Sequence, residues 1–187
     1  MSKITRRTFA LAATLALAAC AGSTTPEEKA STRARLNSEA SAALAQLRTE
    51  SPVADELAGK AKGILVMPSI LKGGLGITGE SGDGVLYVDG TPSAYYNVSS
   101  AGIGLAIGVQ NYSQALMFMD DESLANFQNS QGWKAGVDGS VTLVEAGAGG
   151  DLDTDNITKP VVGFVFGQSG LMANVSIEGS KYTRIED

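Results

Sequence analysis

Residues 101–110 read AGIGLAIGVQ. Ile103, Leu105, Ile107 and Val109 alternate with Gly102, Gly104, Ala106 and Gly108, a period of two that predicts a β-strand with one bulky face and one nearly bare face. Glycine weakens a strand, so its repetition needs a reason: close approach of another backbone, a sharp bend or a ligand. Close packing is the expectation. Strand-like runs flank this one: Ile64 to Met67, stopped by Pro68, then Val85 to Val88, Ala94 to Val98 and Ala115 to Met119. Further on come Ser140 to Val144, Val161 to Phe166, Leu171 to Ile177 and Lys181 to Ile185. Asp83-Gly84, Asp89-Gly90 and Asp138-Gly139 read as turns between them.

Helices precede the strands. Thr25-Pro26-Glu27-Glu28 has a capping Thr, a Pro for the first turn and a Glu three residues after the cap. Beyond it Leu36, Ala40, Ala43, Leu44 and Leu47 fall on one narrow, Ala-rich helical face. Ser51-Pro52 starts a second helix through about Lys60, with Val53 and Leu57 inward. Asp120-Asp121-Glu122 opens a short third helix through Phe127, placing acids at its positive end. This order predicts an α+β fold: N-terminal helices packed on a curved, mostly antiparallel, Gly-rich sheet or partly closed barrel.

The first residues belong to export. Lys3, Arg6 and Arg7 precede the apolar run Phe9 to Ala19, which is too short for the ~20 residues of a spanning helix and fits a signal peptide. The run ends in Leu17-Ala18-Ala19-Cys20, small residues before the chain's one cysteine, the pattern of a bacterial lipobox. Residues 1–19 are therefore expected to be a signal peptide, 20–25 a tether lipidated at Cys20, and 26–187 the folded domain. Thr5-Arg6-Arg7-Thr8-Phe9-Ala10 resembles a twin-arginine signal, with the general secretory route open as well. Ala21 stands where an Asp would favour inner-membrane retention, so the expected location is the periplasmic face of the outer membrane. Two or more acyl chains would hold the protein there stably.

Composition removes much chemistry. The chain has 187 residues, no histidine, one cysteine and a net charge of −6. Triads using histidine, His-ligated metals, Cys clusters and internal disulfides are excluded, and an acidic chain is a poor nucleic-acid binder. Gly74-Leu75-Gly76-Ile77-Thr78-Gly79 spells G-x-G-x-x-G, but Glu80-Ser81-Gly82-Asp83-Gly84 follows where a dinucleotide site needs a helix. Asp151-Leu152-Asp153-Thr154-Asp155 begins like a calcium loop, then has Asn156 and Val162 where Gly and Glu belong. Asp120, Asp121 and Glu122 could supply paired carboxylates to a hydrolase, although a helix cap needs no such role. No cofactor is expected.

Lys60, Lys62 and Lys72 lie in an acid-free stretch from Ala58 to Gly79. Lysine stems can lie along apolar surface while the ammonium meets an anionic headgroup. Trp133 with Lys134 could add an interfacial anchor, a partly buried core Trp being the alternative.

Several ordered segments resemble the SYLF domain family: Ala61-Lys62-Gly63-Ile64-Leu65-Val66-Met67-Pro68, Leu71-Lys72-Gly73-Gly74 and Gly84-Val85-Leu86. So do Gly132-Trp133-Lys134-Ala135-Gly136-Val137-Asp138, Gly163-Phe164-Val165-Phe166-Gly167 and Gly170-Leu171-Met172-Ala173-Asn174. The similarity runs from about Ala54 to Glu186. The bacterial branch of that family includes envelope lipoproteins; eukaryotic members bind phosphoinositides and, in yeast, actin. The resemblance implies a non-catalytic lipid-binding module, with Lys60 and Lys62 in the early basic stretch and Lys72 on the motif lysine. An exported protein would not meet actin, so membrane lipids, anionic ones first, are the expected partners. The alternative is a structural lipoprotein that binds another envelope protein.

Overall fold

The computed structural model describes residues 25–145, 159–170, 177 and 179–186. The predicted signal peptide, Cys20 and the tether up to Thr24 lie outside the described residues, as do the Asp151–Asp155 segment and most of the run from Leu171 to Ile177. The chain divides into two units, Met1–Arg33 and Ala34–Asp187. The described part of the first is Thr25 and the opening turns of helix α1 (Pro26–Glu50). There the expected capping box forms: Glu28 N–H donates to Thr25 Oγ1 at 3.3 Å, and Thr25 N–H donates to Glu28 Oε2 at 2.8 Å.

In the second unit α1 continues and buries Leu36, Ala40, Ala43 and Leu47, with Leu44 packed against them. Helix α2 (Pro52–Lys60) is capped by Ser51, whose hydroxyl accepts from Ala54 N–H; Ala54 and Leu57 are its buried residues, and Val53 is only partly covered. Two long strands follow, β1 (Gly63–Val88) and β2 (Thr91–Phe118). Then come α3 (Asp121–Asn129), β3 (Trp133–Lys134), β4 (Val141–Glu145), β5 (Val161–Gly170) and β6 (Lys181–Arg184). The sheet order is β3-β6-β2-β5-β4, with β1 along the remaining edge of β2. All pairings between these strands are antiparallel except β4 with β5. The fold is α+β with helices on a curved sheet, as the element order predicted.

The long hairpin corrects the expected segmentation. Pro68 does not end a strand; the ladder passes it through a register shift between Met67 and Ile70. Asp89-Gly90 is the two-residue turn expected: Asp89 (φ 51°) and Gly90 (φ 74°) both take left-handed conformations, closing Val88 onto Thr91. Asp83-Gly84 is not a turn. It sits inside β1, where the strand curls back on its own beginning.

That curl is what the glycines permit. A Cβ on Gly84 would strike Met67 Sδ and the Val66 carbonyl oxygen, and one on Gly82 would meet the Ser69 carbonyl oxygen. Val66 and Gly84 would lie about 59 Å apart on a straight strand. Here the main chains touch, at Gly82 and Gly84 of β1; of the glycines in residues 101–110, for which close packing is expected, Gly102 would place a Cβ 3.1 Å from Thr78 Oγ1.

Away from the bend both faces of the curled sheet are covered, and period-two alternation distributes side chains between them. Ile64, Val66, Val85, Ala115, Met117, Phe164 and Phe166 pack with α1 and α2. Leu65, Met67, Leu86, Leu116, Phe118 and Val165 face the interior with α3. Burial on both sides explains why Ile64-Leu65-Val66-Met67 reads as a continuous apolar run. All buried residues among those described lie at or after Leu36, so a chain beginning at Ala21 keeps this core and the Thr25 cap.

Gly84→Ala is expected to lower urea-unfolding stability by about 1–3 kcal/mol, because the added methyl meets main chain. Gly59→Ala, in α2 with nothing within 4 Å of its added methyl, should instead leave stability unchanged or raise it by up to ~1 kcal/mol.

Candidate lipid-binding surface

The basic residues have different settings, Lys62 lying just before β1 and Lys72 within it. Lys60 ends α2 and pairs with Glu56 at 2.6 Å across one helical turn. Lys62 is exposed just before β1, its backbone N–H bonded to the Phe118 carbonyl. Lys134 is exposed on β3, its N–H held by Asp138 Oδ2 at 2.7 Å.

Lys72 has turned inward. Its side chain is 16% exposed and its ammonium lies 3.8 Å from Glu80 Oε2, on a carboxylate that is 1% exposed. On a straight strand these residues would stand about 26 Å apart. Glu80 also accepts from Tyr112 Oη at 3.0 Å and from Ser180 Oγ. Tyr182 Oη donates to Gln114 Oε1 at 2.9 Å in the same interior. Gln110 Oε1, Gln114 Nε2 and Tyr96 Oη find no partner among the described residues. Burial first, then the negative Glu80, pushes the Tyr112 hydroxyl far above its ordinary value near 10. Burial does the same to Tyr182, with Glu80 adding and the Gln114 bond opposing.

Trp133 is not an interfacial ring. It is 2% exposed and stands edge-on to Phe127 at 5.5 Å and Phe118 at 6.3 Å, with Tyr182 at 5.8 Å. A Cβ on Gly139 would meet its indole at 2.5 Å, so the motif around it builds core. Of the five residues expected to meet lipid, Lys60, Lys62 and Lys134 are exposed, while Lys72 and Trp133 are spent on the interior.

An open cleft of about 540 Å³ is lined by Asp120, Glu122 and Asp138 together with Met119, Lys159 and Pro160. Asp120 accepts from Ser123 N–H as the cap of α3, and Asp138 holds the Lys134 N–H. Two of its three carboxylates thus have structural tasks. No group of three metal-ligating side chains occurs among the described residues. G-x-G-x-x-G lies within β1, where a Cβ on Gly74 would strike the Ile77 carbonyl, and opens no helix. No described helix is long and apolar enough to cross a membrane.

Sequence reasoning missed the outer face of the bend. Leu71, Leu75, Ile77 and Val109 are 58%, 78%, 71% and 60% exposed. They make up four of the seven exposed large hydrophobics among the described residues. Periodicity marked the alternation there but could not tell which face stays uncovered.

Residues 99–187, from the middle of β2 onward, match the family model described as Ysc84, Las17-binding protein actin regulator. Beta cell expansion factor A of Aeromonas veronii is 30% identical over 162 residues, covering 84% of this chain. The chain spans 59% of the length of that relative. Residues 99–187 are thus similar to the Ysc84 (SYLF) family model, and the similarity to the relative extends well beyond that window.

Replacing Lys72 by Met should lower stability by on the order of 3 kcal/mol, since Glu80 stays buried without its cation. A second expectation concerns alkali. Tyr112 and Tyr182 hold their protons more tightly folded than unfolded, so their contribution is complete below about pH 10 and is lost as pH rises further. Chemical denaturation across pH 8–11.5 (roughly the span around the free tyrosine value) should show a steep fall above about 10. The double variant Tyr112→Phe/Tyr182→Phe should flatten that fall.

Proposed function

We propose that this protein is an envelope lipoprotein in which acyl chains on Cys20 hold a non-catalytic, lipid-binding SYLF-family domain at a membrane. The observation that carries the reading is the order of parts: a lipobox ending in the chain's one cysteine, a few small residues, then the folded domain. Its location would be the periplasmic face of the outer membrane. The Las17 and actin activities in the family description are not carried over, because an exported chain does not meet the cytoskeleton.

Exposed Lys60, Lys62 and Lys134 are the headgroup contacts of this reading. Each lysine near an anionic surface contributes about 1 kcal/mol, and the effect fades with salt. Lys72 stands apart from them, since its ammonium serves Glu80.

The test is vesicle co-sedimentation of the chain from Ala21 onward, with neutral and anionic vesicles across a salt series. Binding should favour anionic vesicles and weaken with salt, and Lys60→Glu/Lys62→Glu/Lys134→Glu should reduce it by about 100-fold. Lys72 is left intact, since its loss would destabilise the domain as well as discharge it. Absence of binding to every vesicle would leave Cys20 as the membrane contact and turn the reading to an envelope protein partner. Mass spectrometry of the membrane-extracted protein should find Cys20 acylated at the new N-terminus; an unmodified Cys20 would remove the anchor.

A further inference from the structure

The outer face of the β1–β2 bend has a composition unlike the rest of the surface. Leu71 and Leu75 share one face of β1, Val109, opposite Gly73, joins them from β2, and Ile77 follows just past a register shift. Each is more than half exposed. From Thr91 to Met119 the sequence has no charged residue, and from Gly63 to Gly79 it has only Lys72. That lysine points to the opposite face, where Glu80 neutralises it. The bend is therefore an apolar crest with no charge to desolvate, on a protein whose surface is otherwise acidic.

We propose that this crest enters a lipid bilayer at the boundary between headgroups and acyl chains. It rests on the lipid-binding reading above but assigns the contact to different residues and a different force. Three features select lipid over a protein partner. The exposed side chains are aliphatic, without the Trp, Tyr or Arg that anchor protein interfaces. No charge stands among them to set the orientation of a partner. The ladder joining β1 to β2 pairs Leu71↔Asn111, Gly73↔Val109, Leu75↔Ile107 and Ile77↔Ile103, so backbone groups along the crest are satisfied except at the register shift between Leu75 and Ile77, where they need water. Among the described residues β1 has no second neighbour, so its free edge still needs water. That sets the depth at the wet interface rather than the bilayer centre.

Headgroup attraction weakens with salt and requires anionic lipid; apolar insertion does neither. Cys20 is the chain's one cysteine, so the chain from Ala21 accepts a single label. Leu75→Cys carries an environment-sensitive dye at the crest, and Val137→Cys carries it at another exposed apolar site, 74% exposed. With neutral phosphatidylcholine vesicles at high salt, the Leu75 dye should brighten and shift to the blue, and lipids with quenchers near the headgroup should quench it. The Val137 dye should stay unchanged. Leu75→Asp/Ile77→Asp should weaken association with these vesicles by about tenfold or more, with an unchanged circular dichroism spectrum. Salt-sensitive binding to anionic vesicles with a silent Leu75 dye would overturn the crest and leave the headgroup reading standing. No binding to any vesicle would overturn both. A dye response and a change in oligomeric state without vesicles, both removed by Leu75→Asp, would make a second copy of the chain the occupant and overturn the bilayer assignment.

Discussion

Two stretches of one strand touch through their main chains, and the rest of the molecule is arranged around that contact. The seats of Gly82 on Ser69 and of Gly84 on Val66 leave no space for a side chain. Without them β1 and its partner β2 would run on as an open ribbon with neither face enclosed. With them the ribbon bends, β5 and β6 take separate stretches of the far edge of β2, and an interior forms. The same bend turns Lys72 onto Glu80 and lifts the aliphatic crest outward.

A buried carboxylate is a poor source of stability, because the cost of removing it from water offsets much of its pairing. Its contribution here is to position. Glu80 on β1 takes a hydroxyl from Tyr112 on β2 and another from Ser180, just before β6. The three segments meet in one alignment, and a slip of one residue would turn each strand's buried set outward. The tilted and edge-on rings of Tyr96, Phe118, Phe127, Trp133 and Tyr182 fill the neighbouring space and join α3 to β6.

Local chemistry was legible in the sequence. Thr25 with Glu28, Ser51 before Pro52, Asp120 before α3 and Asp89-Gly90 each act where their residue types said they would, because caps and tight turns are settled within four residues. The narrow face from Leu36 to Leu47 was legible for the same reason. What failed were inferences that depend on distant parts of the chain. Asp83-Gly84 has the composition of a turn, but its glycine answers to Val66, eighteen positions earlier. Lys72 looked like a surface group in an acid-free stretch, and for Trp133 an interfacial anchor and a core ring were both open. Their partners Glu80, Phe127 and Tyr182 are assembled by the curl and by α3, which no local pattern encodes.

The place of β6 in the sheet governs the order in which the chain can be assembled. Lys181–Arg184 form no outer strip; they lie between β2 and β3, pairing Tyr182 with both Val98 and Trp133. A growing or translocating chain can close the β1–β2 hairpin early, but its interior stays unsealed until the segment more than eighty residues later has emerged. Pairings of such sequence separation are slow to form. During that interval the aliphatic crest and the unfilled interior are exposed together, the condition under which folding chains aggregate. Whatever acts on the chain before Lys181–Arg184 are in place acts on an open ribbon, and closure waits for the last strand.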